Sequence, residues 1–253
     1  MKLDILVFGA HPDDVELGCG GTIIKEVQKG KKVGIIDLTR GELGTRGTAE
    51  RRDKETKKAT DIMGVSIRKN MNFKDGFFKD DEEHKLALIK KIREFQPEIV
   101  ITNAISDRHP DHPRSSQITI DACFLSGLEK IETGQEIWRP KAIYHYIQFN
   151  DINPDIVVDI SNQMDLKLDA VKAYSTQFFN PESKESETII SSQGFLDSVT
   201  YRAKNLGRQS NCGYAEGFVV HQLPKIDSLL NLFFLKLVIF LDEINTLYFF
   251  LRS

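Results

Sequence analysis

LDILVFGAHPDDVELGCGGTIIKEVQKGKKVGIIDL, residues 3–38, decides the fold. Leu3 to Gly9 is a short apolar run suited to a buried strand, Val15 to Lys29 reads as a helix stopped at Gly30, and Val33 to Leu38 is a second apolar run. A strand, a helix and a strand in that order imply parallel pairing. The alternation continues outward with a helix from about Ala49 to Met63 ended at Gly64, a strand near Val65 to Asn72, a helix from Asp81 to Phe95 and a strand from Glu98 to Thr102. Such a series predicts an α/β fold: an open, mostly parallel sheet with helices on both faces. Past Pro140 the order loosens, with strands expected at Ala142 to Gln148 and Ile156 to Ile160, and helices at Met164 to Thr176 and Phe195 to Leu206.

The chain has 253 residues, of which 40% are hydrophobic and 28% charged, enough for one large domain with a substantial core. A formal charge of −3 without a block of Lys or Arg argues against a nucleic-acid partner and favours a small-molecule substrate. The apolar run before Asp13 is too short for a secretory signal, which predicts a cytoplasmic protein. Cys19, Cys123 and Cys212 are odd in number and lack a Cys-x-x-Cys pairing, so they read as buried small side chains. Leu229 to Leu251 is strongly apolar, but Lys236, Asp242 and Glu243 interrupt it. A packed helix or subunit contact is therefore expected there rather than a membrane span.

The chemistry concentrates in two patches. Ala10-His11-Pro12-Asp13-Asp14 falls directly after the first strand, and Asp107-Arg108-His109-Pro110-Asp111-His112 follows the strand ending at Thr102. Ligands in open α/β sheets bind outside the carboxyl ends of the strands, so both patches are expected on one edge. Imidazole and carboxylate suit zinc, and a catalytic zinc normally has three protein ligands and one open position; His11, Asp14 and His112 fit that count. Asp13 is then placed to take a proton from water as general base. His109, when positively charged, is suited to stabilise or protonate a tetrahedral species, and Asp111 to hold it in that state. The competing reading is that Asp13 or Asp14 merely caps the first helix. His84, His145 and His221 lack such a setting and read as structural. Residues 40–55, RGELGTRGTAERRDKE, form a glycine-rich polar loop running into a helix, where Arg51 or Arg52 can hold a hydroxyl or carboxylate. Asp75, in Phe73-Lys74-Asp75-Gly76-Phe77, is equally compatible with an ordinary turn.

AHPDD and, about a hundred residues later, HPDH resemble the two signatures of the LmbE-like, or PIG-L, family of zinc deacetylases, which act on N-acetylglucosamine derivatives on a Rossmann-like fold. The resemblance runs to about Leu223, so it implies a deacetylase domain over 1–223 and leaves 224–253 as an apolar tail. It implies one zinc ion per chain on His11, Asp14 and His112, a base at Asp13 and a transition-state histidine at His109 tuned by Asp111. It also implies a substrate-binding arginine at Arg52, a sugar-contacting carboxylate at Asp75 and a homo-oligomer. Tyr201 and Tyr214 are both candidates for the tyrosine that assists the oxyanion in that family. DVELGCGGT, GELGTRGTAE, DRHPDHPRSS, YSTQF and YAEGF are most similar to the bacillithiol branch, whose substrate is N-acetylglucosaminyl malate.

Three rival readings are open to test. A dinucleotide-binding enzyme would need a third glycine at position 23 after Gly18 and Gly20, and that residue is Ile23. A non-catalytic zinc or sugar-binding module would hold the same ligands without needing Asp13. A phosphoesterase would commonly use two ions and more carboxylates.

Overall fold

The computed structural model describes residues 1–228, and the apolar segment from Leu229 onward lies outside them. Met1–His221 makes one compact unit, and residues 222–228 form no helix or strand. Among the described residues, no helix is long and apolar enough to cross a membrane.

The strand, helix and strand of the opening stretch are β1 (Ile5–Gly9), α1 (Asp14–Gln28) and β2 (Val33–Thr39), followed by α2 (Ala49–Met63), β3 (Ile67–Phe73), α3 (Glu82–Phe95) and β4 (Ile99–Thr102). Then come α4 (Asp111–Leu125), β5 (Ala142–Tyr146), β6 (Ile156–Asp159), α5 (Met164–Lys172), α6 (Gln193–Gln209) and β7 (Ala215–Val220). The sheet order is β3-β2-β1-β4-β5-β7-β6. The first five strands of that order pair in parallel, whereas β7 runs antiparallel to both β5 and β6. Side chains alternate across β1: Leu6 and Phe8 join the core beneath α3 and α4, while Ile5 and Val7 pack with Val15, Cys19 and Ile23 of α1. Helices therefore cover both faces, as the alternating pattern implies.

Two elements escape the sequence pattern. Helix α4 contains Ile118-Thr119-Ile120 and a proline in its first turn, so its apolar stripe is faint, and it begins at Asp111 inside what reads as a loop. Strand β7 holds Gly217, and a glycine inside a strand weakens its signal.

The glycine run in α1 serves packing. A Cβ at Gly18 would lie 2.2 Å from the Tyr146 ring and one at Gly21 would lie 2.7 Å from Ile160. The helix also breaks at Cys19, whose φ and ψ are −146° and 19°. The freed backbone groups find buried partners. Glu216 accepts from the N–H of Gly21 at 3.0 Å and of Thr22 at 2.6 Å, and the Lys167 ammonium donates to the Leu17 carbonyl at 2.8 Å. Lys167 and Glu216 close the arrangement with a 2.5 Å ion pair. Because Tyr146 is fully buried and has no room to retreat, Gly18→Ala is expected to destabilise the fold by about 1–3 kcal/mol in denaturant unfolding. Gly20→Ala, whose Cβ would meet nothing nearer than 3.6 Å, is expected to be tolerated.

Candidate active site

The topological switch of the sheet lies between β1 and β4, and the loops leaving these strands carry the two His/Asp patches. His11, His109 and His112 converge there. The ring centroids of His11 and His109 are 4.6 Å apart, those of His11 and His112 5.5 Å, and those of His109 and His112 5.2 Å. They face a cavity of about 450 Å³ that Asp13, Asp14 and Asp75 also line.

Asp14 sits at the centre of the cluster. Its Oδ2 accepts from the His11 N–H at 2.9 Å and from Asn103 Nδ2 at 3.0 Å, and its Oδ1 accepts from Gln148 Nε2 at 2.6 Å. Burial opposes its ionisation, but the charges of His112 and His11 outweigh burial and hold the carboxyl well below the usual range. His11 Nδ1 lies 3.5 Å from Asp14 Oδ2, and His112 Nε2 lies 3.3 Å from Asp14 Oδ1. Neighbouring ligand atoms on a tetrahedral ion with bonds of about 2.0–2.1 Å are separated by roughly 3.3 Å, so both contacts suit shared coordination.

The outward nitrogens of both histidines are also held. His11 Nε2 is 3.0 Å from Asp75 Oδ1 and 3.4 Å from Asp111 Oδ2, and His112 Nδ1 is 2.9 Å from Asp107 Oδ2. A carboxylate on the far nitrogen of a ligating histidine sets its tautomer and aims the other nitrogen at the metal. Among the described residues, the groups that bring three donor atoms within 4.8 Å of one another are His11/His109/His112 and His11/Asp75/Asp111; His11 belongs to both and Asp14 to neither. The donor set thus fits a divalent ion.

Asp13 occupies the N-cap position of α1 but makes no capping bond, and its φ of 117° is left-handed. A non-glycine residue held there is strained, and such strain is commonly found at functional sites. Burial pushes its carboxyl up to about 7, against the pull of Arg52 and with help from the charge of Asp14. Arg52 donates to the Pro12 carbonyl at 2.8 Å and to Asp13 Oδ2 at 3.1 Å. His109 Nδ1 accepts from the Asp111 N–H at 3.3 Å, which leaves the proton of its neutral form on Nε2. Burial and the nearby His11 and His112 charges push its pKa down.

Several side chains are engaged differently from the sequence expectations. The carboxylate of Asp111 accepts from the Gly76 N–H at 2.8 Å, pairs with Arg114 and approaches His11, so it does not bond the His109 ring. As the first residue of α4, it points its side chain back toward the β3 loop. Asp75 spends one oxygen on His11 and the other on the Leu43 N–H at 2.9 Å, and Arg52 is bound to Asp13, although both residues line the cavity. Tyr201 is 79% exposed and Tyr214 packs against Ile160, Met164 and Ala203. Neither lines the cavity. Asn103 and Gln148 follow strand ends without a distinguishing motif, and Asp107 opens the second patch without a role of its own there; only the folded chain reveals their hold on Asp14 and His112.

The family profile described as "PIG-L: GlcNAc-PI de-N-acetylase" matches residues 6–123. The chain is 31% identical to the "Diacetylchitobiose deacetylase" of Thermococcus kodakarensis, over 69% of this chain and 70% of that protein. It is 26% identical to the "Probable N-acetyl-alpha-D-glucosaminyl L-malate deacetylase 2" of Bacillus anthracis, over 69% of this chain and 81% of that protein. Among solved structures, the conserved protein TT1542 of Thermus thermophilus superposes with a TM-score of 0.81 at 35% identity, covering 90% of this chain and 98% of that one.

The carboxylates around the imidazoles set a pH dependence. Burial lowers both histidine pKa values, but Asp14 and the other carboxylates reverse it, raising His112 to about 9 and His11 well above its ordinary value. Both rings are then protonated at neutral pH and must lose those protons to ligate a metal. Zinc affinity of the metal-depleted protein is expected to rise with pH up to about 9, with close to two protons released per ion near pH 7. Titration calorimetry in buffers of different ionisation enthalpy measures that release, and uptake without it removes these imidazoles from the ligand set.

Proposed function

Because this chain belongs to the PIG-L de-N-acetylase family, we propose that it hydrolyses the N-acetyl group of N-acetylglucosaminyl malate to glucosaminyl malate and acetate. The reaction uses one zinc ion held by His11, Asp14 and His112. The observation that carries this reading is the pairing of a metal-suited donor set with an adjacent buried carboxyl, Asp13, whose pKa of about 7 matches a proton acceptor at neutral pH. The bacillithiol branch is supported by the similarity of the GELGTRGTAE and DRHPDHPRSS stretches and by the relative whose name specifies that substrate.

Bound zinc supplies a Lewis acid that polarises the amide carbonyl and makes water nucleophilic at neutral pH. Asp13 takes the proton of the attacking water while Arg52 fixes its carboxylate. The oxygen–carbon bond forms as the carbonyl becomes an oxyanion, and His109, with its proton on Nε2, donates to that charge. The oxyanion then collapses to a carboxyl carbonyl, the carbon–nitrogen bond breaks, and Asp13 returns the proton it took from water to the departing amine. Asp75 and Asp111 steady His11, and Asp107 steadies His112. The cavity volume falls within the range for small-molecule sites. Cytoplasmic location and a homo-oligomeric assembly belong to this proposal, and light scattering that finds only monomer would overturn the second.

Asp13→Asn is expected to retain one zinc by metal analysis while acetate release falls by about 10²–10⁴-fold. Retained activity would remove Asp13 from the role of base, and a bare zinc- or sugar-binding module would show no turnover even in the wild type. Acetate release is expected to be faster from N-acetylglucosaminyl malate than from free N-acetylglucosamine, and failure on both overturns the deacetylase reading.

A further inference from the structure

Asn103 reaches the first His/Asp patch with both ends of its amide. Its Nδ2 donates to Asp14 Oδ2 at 3.0 Å, and its Oδ1 accepts at 2.9 Å from the N–H of Ala10, the residue before His11. A short amide serves two fixed groups only if its own backbone is held. Asn103 lies just past the last residue of β4, beyond the ladder that β4 makes with β5.

The side chain that meets this backbone is His145 of β5. It is in register with Thr102, and its Nδ1 lies 3.2 Å from the Asn103 carbonyl oxygen and 3.0 Å from Ser116 Oγ of α4. Both His145 and Asn103 are buried. Burial lowers the His145 pKa, opposed by the Asn103 carbonyl and assisted by the nearby His221, so the ring is neutral at neutral pH and carries one proton. On Nδ1 that proton is donated to the Asn103 carbonyl and shared with Ser116 Oγ. On Nε2 it would be a buried donor without an acceptor, because among the described residues that nitrogen has no hydrogen-bond partner, and the Nδ1 lone pair would oppose the carbonyl oxygen. A buried lone pair left unmatched is the lesser penalty, which puts the proton on Nδ1.

An imidazole is an expensive side chain at this place. Val100 of β4 and Ile143 of β5 belong to the apolar core beneath α3 and α4, and an aliphatic residue at 145 would fill the space without an orphaned nitrogen. What the ring adds is one donor, aimed at one carbonyl.

We propose that His145 is a positioning residue: by donating from Nδ1 to the Asn103 carbonyl it fixes the Asn103 amide against Asp14 and so orients that carboxylate for the metal. This rests on the zinc reading above. Among the described residues the hydrogen bonds of His145 run to Asn103 and Ser116, and the ring does not line the cavity, so its effect on the metal passes through other groups.

The test is a competition for zinc between the full zinc-loaded chain and a chromophoric chelator. His145→Phe, which keeps a ring without the donor, is expected to weaken zinc binding by about tenfold or more, whereas His145→Asn, whose amide nitrogen can stand where Nδ1 stands, is expected to stay within about threefold of the wild type. If the Phe variant does not fold by thermal melting, His145→Leu takes its place. Lost packing alone could weaken the site too, and the double variant separates the two causes. Asn103→Ala removes the amide through which His145 acts, so adding His145→Phe to it is expected to weaken zinc by no more than about a further twofold. Unchanged affinity in His145→Phe, an equal loss in His145→Asn, or additive losses in the double variant would each overturn the positioning role and leave the zinc reading standing. A wild-type chain that holds no zinc overturns the zinc reading, and the positioning role with it.

Discussion

The carboxylate of Asp14 is buried and ionised at once, and the rest of the site follows from meeting that demand. Removing a carboxylate from water costs several kcal/mol unless donors replace the lost hydration. Here the donors come from three strand ends: the His11 N–H after β1, Asn103 after β4 and Gln148 after β5. Parallel pairing of β1 with β4 and of β4 with β5 brings these ends side by side, so the sheet itself is the template for the site.

A second ring of carboxylates, Asp75, Asp107 and Asp111, surrounds the imidazoles. Together with Asp14 they create a negative field that only cations can balance, which is why His11 and His112 hold protons so strongly despite their burial. A divalent ion in the same place would satisfy the same field without protonating the ligands. Asp13 stands apart from this balance. Burial, against the pull of Arg52, brings its carboxyl to about 7 beside the cluster, the property asked of a general base.

The support for this edge reaches far into the fold. The break in α1 at Cys19 would leave polar backbone groups buried, yet Glu216 from β7 and Lys167 from α5 satisfy them. The first turn of α1 carries Asp14, so the antiparallel end of the sheet, remote in sequence, secures the helix that presents it. The glycines at 18 and 21 let that helix approach Tyr146 and Ile160 closely, which accounts for a glycine run that has no dinucleotide to bind.

Much of this was legible in the chain alone. Apolar runs alternating with helical periods are local patterns, and they determined the parallel α/β core, the strand ends where His11 and His112 would emerge, and the residue types suited to a metal. The faint stripe of α4 and the glycine in β7 hid those elements, because tertiary packing rather than local propensity stabilises them. The partners of individual side chains were beyond the sequence for a related reason: a hydrogen bond between residues 64 or 93 positions apart leaves no periodic trace. Only the folded chain decided that Asp75 and Asp111 turn to His11, that Arg52 binds Asp13 and that Tyr201 faces outward, since burial and donor geometry, not residue type, choose among carboxylates and cations of equal chemistry.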